Sequence, residues 1–469
     1  MTNYKIIQLL CSSTPENIEL AQQLCISQSW DILEIIKQYG YNDLNIREPK
    51  DFLNDSIYTP RQQLVAFPKL FPAAVTYFDC SDSQITALPE NLPLGLTTLD
   101  CSKNLLTTLP KNLPAGLYTL CCRGNQLTAL PENLPVGLVI LECENNQLTV
   151  LPENLPVGLE MLYCDNNKLT VLPENLPFGL TDLRCRNNQL AVLPENLPAK
   201  LKFLFCEHNL LTTLPENLPD TLVCLYCNNN LLTAMPKIWP TQLKSFGYSD
   251  KNLTVFPSEL LPPNLERLDC SYSSLSTFPT NLPVTLTHLD CSHNQITIIP
   301  NQLPPNLKRL ECNHNQISDL SQVEWPLNLD ALFCNFNQIS YIPDKLAEQI
   351  RFLYCNNNQI TQLPLNCPNL ESFGFSFNQL TTVDLTTFNV WCAVLSNNQI
   401  TKITTKIWYP FSDQGLPLII LDNNPLIDVN IEDLATYTTV EARNCPIDLS
   451  ELGTKYGFTK QEEGVWEKI

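Results

Sequence analysis

Residues 141–156 read LECENNQLTVLPENLP, and close copies of this phrase recur through most of the chain. Aligned on the cysteine, the copies share the pattern L-x-x-L-x-C-x-x-N-x-L-T-x-L-P-x-x-L-P-x-x. Eighteen copies follow one another at spacings of 20 to 22 residues, apart from one longer, irregular step between Leu395 and Leu421. Thirteen of the eighteen carry Cys at the aligned position. A single unit of this kind cannot bury its own apolar side, so the copies are expected to stack.

Each copy has two halves with different backbone preferences. The first half, such as Leu138–Cys143, predicts a short strand whose alternate side chains point inward. The asparagine three residues after the thiol, such as Asn146, has an amide that can satisfy buried backbone groups in its own turn and in the next. The second half, L-P-x-x-L-P, has a proline every four residues, which excludes an α-helix and favours extended or polyproline backbone.

This signature is that of the leucine-rich repeat. It predicts an α/β leucine-rich repeat solenoid with a parallel concave β-sheet, an extended or polyproline convex side and a small helical N-terminal cap. We assign the solenoid to residues 59–447. Residues 1–58 lie outside the repeat and begin a helix at Thr14-Pro15, so they are expected to form a helical N-terminal cap or module. Residues 448–469 are assigned to a short helical C-terminal cap followed by a tail.

Composition restricts the class of partner. The net charge is −20 and the pI is near 4.6, which argues against nucleic acid and against anionic membrane, because both need a basic face. No stretch approaches 18 apolar residues, so no membrane span is expected. The start, MTNYKIIQLLCSS, lacks the long apolar core of a cleaved signal peptide. These features favour a protein partner and leave the oligomeric state open.

The column of thiols allows three interpretations. Zinc sites need clustered ligands, whereas these cysteines lie 21 residues apart in one row, and Cys224 and Cys227 face opposite sides of a strand. Disulfides between parallel neighbours would need distortion, because their Cβ atoms point the same way. In the third interpretation, which we favour, free Cys packs as a small apolar residue. So many free thiols predict a reducing compartment, the cytoplasm, or a host cytosol after secretion without a cleaved signal peptide.

The concave face is the expected binding surface. Three positions per repeat project from it: the residues three before, one before and one after the thiol. Aromatic side chains and nearby arginines on such a face are typical of interface hot spots, although strands favour aromatic residues whatever they bind. The predicted partner-binding residues are Tyr163, Arg184, Arg186, Phe203, Phe205, Tyr226, Phe333, Phe352 and Tyr354.

Catalytic groupings are sparse in the sequence. His293 and His314 occupy the same loop position in adjacent repeats and could pair on a metal, but drift between repeats explains them better. No glycine-rich phosphate loop is present. We therefore predict no catalytic residues, no cofactor and no metal site, and a protein that is not an enzyme.

The phrase L-P-E-N-L-P-x-G-L-x-x-L-x-C-x-x-N-Q-L-T resembles the bacterial leucine-rich repeat effector family, the YopM and IpaH group. The resemblance implies a short helical N-terminal region, repeats that bind host proteins and delivery into host cells. Some members of that family add a C-terminal ubiquitin ligase domain with a nucleophilic cysteine. This chain departs there, because only 27 residues follow Ala442 and no cysteine follows Cys445. Ligase activity is therefore not expected.

The leading hypothesis is a non-catalytic protein-protein interaction solenoid, a bacterial effector that binds host proteins along its concave face. The alternative is a scaffold or adaptor, in which the N-terminal helices recruit an enzyme while the repeats select its substrate. An adhesin or receptor ectodomain is disfavoured by the free thiols and by the lack of a leader.

Overall fold

The computed structural model describes most of the repeat region. The described residues are 56–58, 75–233, 235–258, 261–364, 367–386, 388, 390–405 and 417–468. The helices predicted within residues 1–58 fall outside them. The chain divides into two compact units, Met1–Leu243 (unit 1) and Lys244–Ile469 (unit 2).

Unit 1 contains a row of short parallel strands, and each strand pairs with the one that follows it in sequence. From β2 onward each residue faces the residue 21 positions later. The strands are β1 (Ser56–Tyr58), β2 (Tyr77–Asp79), β3 (Thr98–Asp100), β4 (Thr119–Cys121), β5 (Ile140–Glu142), β6 (Met161–Tyr163), β7 (Asp182–Arg184), β8 (Phe203–Phe205) and β9 (Cys224–Tyr226).

The repeat's apolar letters form the core of each turn. In the turn that begins at Leu138, the side chains of Leu141 and Cys143 are fully buried, while Glu142 between them is partly exposed. Leu148 is fully buried as well, and the leucines of the proline-rich half are nearly so. The alternation of strand side chains therefore sends one row inward and one row to the concave face.

A ladder of buried asparagines joins consecutive turns, as the sequence predicted. The Asn146 Oδ1 accepts a hydrogen bond from the Leu127 backbone N–H at 3.0 Å. Its Nδ2 donates to the carbonyls of Cys122 and Cys143 at 3.0 and 3.1 Å. The preceding residue, Asn145, has a left-handed φ of 55° and turns the chain out of the strand. One amide thus satisfies backbone groups of its own turn and of the turn before it.

Unit 2 repeats this plan and adds three short helices. Its elements are β10 (Ser245–Gly247), β11 (Arg267–Asp269), β12 (His288–Asp290), β13 (Arg309–Glu311), β14 (Ala331–Phe333), α1 (Asp344–Ala347), β15 (Phe352–Tyr354), β16 (Ser372–Gly374), β17 (Thr382–Asp384), β18 (Cys392–Val394), β19 (Lys402–Thr404), β20 (Leu418–Ile420), β21 (Asp428–Val429), α2 (Ile431–Leu434), β22 (Thr439–Glu441), α3 (Ser450–Tyr456), β23 (Phe458–Glu462) and β24 (Val465–Lys468).

A second parallel sheet forms from β17, β19 and β21, in the half of the repeat that elsewhere carries L-P-x-x-L-P. The stretch from Leu380 to Phe388 contains no proline. Its backbone N–H groups are therefore free to pair, and the Leu385 N–H donates to the Thr404 carbonyl at 2.7 Å. The extended side predicted from sequence becomes a true sheet here.

The C-terminal end differs from the expected helix and tail. Helix α3 is present, but the residues after it form the antiparallel hairpin β23–β24, and β24 pairs with β22. Gly464 has φ 76°, and a Cβ there would meet the Arg443 Cα at 2.6 Å, so only glycine fits. The hairpin supplies hydrogen bonds to the exposed edge of the last parallel strand, which a loose tail would leave unpaired.

The thirteen aligned cysteines are all buried and free, which confirms the packing interpretation. Burial raises the pKa of the Cys143 thiol far above its ordinary value. Several donate weakly to a carbonyl of the next turn, such as Cys164 Sγ to the Arg184 oxygen at 3.2 Å. In unit 2 the Sγ atoms of Cys334 and Cys355 lie 2.9 Å apart.

Candidate functional site

The concave positions are placed as the sequence predicted in most repeats, with a buried central residue flanked by partly exposed neighbours. Three of the residues that lie three before the thiol position are buried instead: Asp182, Ala331 and Ser372. Each is small or short and lies in register with a phenylalanine, Phe203 or Phe352, on a neighbouring strand. Whether the nine residues proposed from sequence bind a partner stays a prediction.

The first aromatic cluster comprises Tyr163, Phe203, Phe205 and Tyr226, on strands β6 to β9 of unit 1. Arg184 lies in register between Tyr163 and Phe205 on the intervening strand. Its guanidinium carbon is 4.3 Å from the Tyr163 ring centroid and 5.4 Å from that of Phe205. Phe205 in turn stacks on Tyr226, with centroids 5.8 Å apart and an interplanar angle of 17°. The row is a continuous stack that holds a cation between two rings.

Asp182 fixes the orientation of this stack from below. Asp182 is only 6% exposed. Arg184 donates to the two carboxylate oxygens of Asp182, from Nε at 3.2 Å and from Nη2 at 3.0 Å. The Tyr163 hydroxyl donates to Asp182 Oδ2 at 3.0 Å. Burial, followed by the Asp182 charge, raises the pKa of Tyr163 to about 12. Because a bidentate contact fixes both the position and the plane of the guanidinium, Arg184 is held in one geometry.

Arg186 braces the other side of the same row. Its guanidinium carbon lies 4.2 Å from the Phe205 centroid, and its Nε donates to Glu207 Oε2 at 3.0 Å. The Arg186 backbone N–H donates to Asp165 Oδ1 at 2.6 Å. Burial raises the pKa values of Asp165 and Glu207, and the nearby Arg186 opposes this rise. Both arginines predicted from sequence therefore contact the aromatic row.

Phe203 lies apart from the stacked row. It is in register with Asp182 on one side and Cys224 on the other, and it is 38% exposed. More than a third of this residue is exposed, so Phe203 adds apolar area to the concave face.

The second aromatic cluster comprises Phe333, Phe352 and Tyr354 in unit 2. Phe333 and Tyr354 stack nearly parallel, with centroids 5.2 Å apart and an angle of 2°. Arg309 lies over Phe333 at 4.3 Å. A Cβ on Gly374 would meet the Tyr354 ring at 2.9 Å, so that glycine lets the ring lie flat across the next strand. The cluster repeats the cation-on-ring arrangement of unit 1.

Phe352 belongs to a different row of this cluster. Arg351 lies 5.2 Å from its ring centroid and donates to Glu371 at 2.8 Å and to Asp330 at 3.3 Å. The structure therefore does not stack Phe352 with the other two rings, although all three share the concave surface.

His293 and His314, noted from the sequence as sharing a loop position, belong to a longer set of rings that the sequence did not predict. Tyr272, His293, His314 and Phe336, which we call the ring column, occupy the loop position two residues after the thiol position on successive turns. Successive ring centroids are 4.1, 4.2 and 4.1 Å apart, at angles of 10° to 15°. All four residues have a left-handed φ between 50° and 56°. The signal was the recurrence of ring residues at one loop position.

An amide ladder runs beside the ring column. Asn313 Oδ1 accepts from the backbone N–H and the Nδ2 of Asn335 at 2.9 and 2.8 Å. Asn335 Oδ1 accepts from the same two groups of Asn356, both at 2.8 Å. The ladder and the column border an open groove of about 470 Å³, whose lining also includes Phe377 and Val394.

Two carboxyl groups on the concave face have strongly raised pKa values. Burial raises the pKa of Glu144 to about 7 and that of Asp290 to about 6. Within the described residues, Glu144 Oε2 is buried without a hydrogen-bond partner. Hydrogen bonds from Ser292 partly oppose the shift at Asp290. A protonated carboxyl is the favoured state of Glu144 below neutral pH.

The described part of the chain offers no group of three or more His, Cys, Asp and Glu side chains suited to a metal ion. His293 and His314 meet ring on ring, which is a stacking contact. Within the same ranges, no helix is long and apolar enough to cross a membrane.

Stacked turns of about 21 residues, parallel strands and a buried asparagine ladder define a leucine-rich repeat protein, and the chain belongs to that family. A family model described as leucine-rich repeats in two copies matches residues 284–326. No curated protein matches the chain in sequence.

Solved structures with this fold include two of YopM. The chain is 32% identical to YopM from Yersinia enterocolitica, over 75% of this chain and 79% of that one, with a TM-score of 0.52. It is 30% identical to YopM from Yersinia pestis, described as a leucine-rich effector protein, over 74% and 86% of the two chains, with a TM-score of 0.53. A leucine-rich repeat protein of Leptospira interrogans shares the fold at 23% identity, over 81% and 93%, with a TM-score of 0.52.

Proposed function

We propose that this protein binds a protein partner along its concave face, with the first aromatic cluster and its two arginines as the main contact. Leucine-rich repeat solenoids are typical protein-interaction domains. The observation that carries the proposal is the placement of Arg184 between the Tyr163 and Phe205 rings, at 4.3 and 5.4 Å. The second aromatic cluster is proposed as a further contact in unit 2.

Preorganisation is the physical basis of this proposal. Interface energy concentrates in a few aromatic and arginine residues, and ordering mobile side chains on binding lowers affinity. Here the carboxylate of Asp182 and the neighbouring rings already hold the Arg184 side chain, which is 38% exposed. A partner that covers this row meets ordered aromatic and guanidinium surface and loses little side-chain entropy on binding.

The comparisons also support a proposal about the kind of protein. YopM of Yersinia pestis is described as an effector, and the similarity spans about three quarters of this chain. We therefore propose a bacterial effector that acts in a reducing cytosol. The buried free thiols support that compartment, because an oxidising one would favour disulfide-bonded cysteines.

The test is partner capture by the full chain carrying Phe203→Ala and Phe205→Ala together. Capture of the wild-type partner should fall at least about tenfold, since loss of two interface aromatics costs more than about 1.4 kcal/mol. The matched control replaces Val150 and Val171 with Ala, since both are about half exposed in the proline-rich half of the repeat. Unchanged capture by the Phe pair, with the control also unchanged, would refute the concave-face proposal.

A further inference from the structure

The ring column is interrupted at one turn. After Phe336 the equivalent loop position is Asn357, and the next is Phe377. Asn357 and Phe377 have φ values of 57° and 55°, the same left-handed conformation as the rings before them. Phe336 and Phe377 are 47% and 54% exposed. Two exposed rings therefore flank a turn that carries only a short amide.

The width of this interruption suits a planar group. Along the ring column each step between centroids is 4.1 to 4.2 Å, so that His293 fits between Tyr272 and His314. Phe336 and Phe377 are likewise two turns apart, as Tyr272 and His314 are. Both rings and Asn357 line the open groove described above. The slot between the rings can thus take one flat group, as the column does elsewhere.

We propose that this slot, formed by Phe336, Asn357 and Phe377, receives the guanidinium of an arginine from a partner protein. The protein shows the same arrangement within itself, because Arg184 lies between rings two strands apart. A cation is attracted to the faces of aromatic rings, and a guanidinium is also flat enough to stack between two of them. The chain's charge of −20 favours a cationic visitor.

The polar lining suits guanidinium N–H groups. Among the described residues that line the groove there is no lysine or arginine to repel a cation. Within the described residues, the Asn357 side-chain amide takes part in no hydrogen bond, so its oxygen can accept one. Its backbone N–H is already used, donating to the Ser376 carbonyl at 2.8 Å. An ammonium lacks the flat shape, and an indole lacks the charge.

The probe is N-acetyl-arginine amide, titrated into the full chain and followed by saturation-transfer NMR of the probe. The lysine and tryptophan analogues are measured in the same way. Asn357→His places a ring in the slot. The variant should keep the fold, because His314 already occupies the equivalent loop position one turn before Phe336. Phe377→Ala removes one wall. The matched control is Asn166→His, which adds a ring at the same loop position in unit 1, where Asn145 and Asn187 flank it.

The expected result is saturable binding of the arginine probe, weakened at least about tenfold by Asn357→His and by Phe377→Ala and unchanged by Asn166→His. Binding should also weaken with added salt. Three outcomes would overturn the proposal: no saturable arginine binding to wild type, equal binding to Asn357→His, or tighter binding of the tryptophan or lysine probe. The slot lies on loops away from the first aromatic cluster in sequence and is tested with a small probe, so its failure leaves the concave-face proposal standing.

Discussion

The guanidinium of Arg184 donates two hydrogen bonds to the carboxylate of Asp182, two residues earlier on the same strand. Side chains two apart on a strand share a face, so the pair follows from the sequence D-L-R. The carboxylate is nearly covered, at 9% side-chain exposure, while the guanidinium remains 38% exposed. The nearly covered carboxylate of Asp182 therefore holds the exposed guanidinium of Arg184 in place on the surface.

Replacement of Arg184 by Ala should destabilise the protein by about 1–3 kcal/mol, because Asp182 keeps a covered carboxylate without its main partner. Arg184→Lys should recover only part of this loss, because an ammonium can pair with Asp182 but cannot form the bidentate contact. The midpoint of thermal unfolding measures both. A double variant that adds Asp182→Asn should lose less than Arg184→Ala alone, and a larger loss would contradict the assignment.

Asn146→Ala should cost about 1–3 kcal/mol, because it leaves the Leu127 N–H buried without its partner and removes one of the two asparagine donors from each of the Cys122 and Cys143 carbonyls. Thr149→Ala, at an exposed position of the same turn, should change stability by no more than about 0.5 kcal/mol. Denaturant titration of the two variants provides the comparison. Equal midpoints for both variants would show that the ladder does not stabilise the turns.

Cys164→Asp should destabilise the protein severely, because it places a carboxylate in the buried thiol column. Cys164→Ala keeps the site apolar and should be milder. In wild type the aligned thiols should resist alkylation at pH 8 until the protein unfolds, because all of them are buried and burial also raises the pKa of Cys164. Mass spectrometry counts the labels before and after denaturation. Rapid labelling of the whole column in the native state would contradict its burial.

Glu144 predicts a pH dependence of stability. Burial raises its pKa in the folded state from an ordinary 4.5 to about 7, so the folded protein binds this proton more tightly than the unfolded chain does. The resulting stabilisation is fully present below the unfolded value and is lost as the pH rises through the folded value. Glu144→Gln should therefore raise the melting temperature at pH 8 more than at pH 5. Glu153→Gln, at an exposed position, is the control and should show no such difference.

Much of the fold could be predicted from the sequence because the same pattern recurs in many copies. Strand positions, the buried thiols and the asparagine ladder follow from a pattern that holds over many turns. The β23–β24 hairpin was not readable, because its stability depends on pairing with β22 and on Gly464 beside Arg443. An isolated two-stranded hairpin is only marginally stable, so the sequence of these residues does not reveal the pairing with β22.

The site was predictable in composition but not in geometry. The sequence indicated which aromatic and arginine side chains face outward, because strand alternation fixes the side. It did not indicate that Arg184 lies between two rings while Phe203 stands apart, since this depends on rotamers and on Asp182 below. The ring column was missed because its members differ in type and stack only when each loop residue adopts the same left-handed φ.

The main proposal is that the concave face of unit 1 binds a protein partner. Site-specific photocrosslinking is its most direct test. A benzophenone amino acid replaces Phe203 in the full chain, and in the control it replaces Val157, which is exposed in the proline-rich half of the repeat. After irradiation in a host-cell lysate, mass spectrometry identifies the adducts. We expect one recurrent partner from position 203, absent from position 157 and diminished when Arg184→Ala is added. Equal adducts from both positions, or a recurrent partner from position 157 alone, would contradict it.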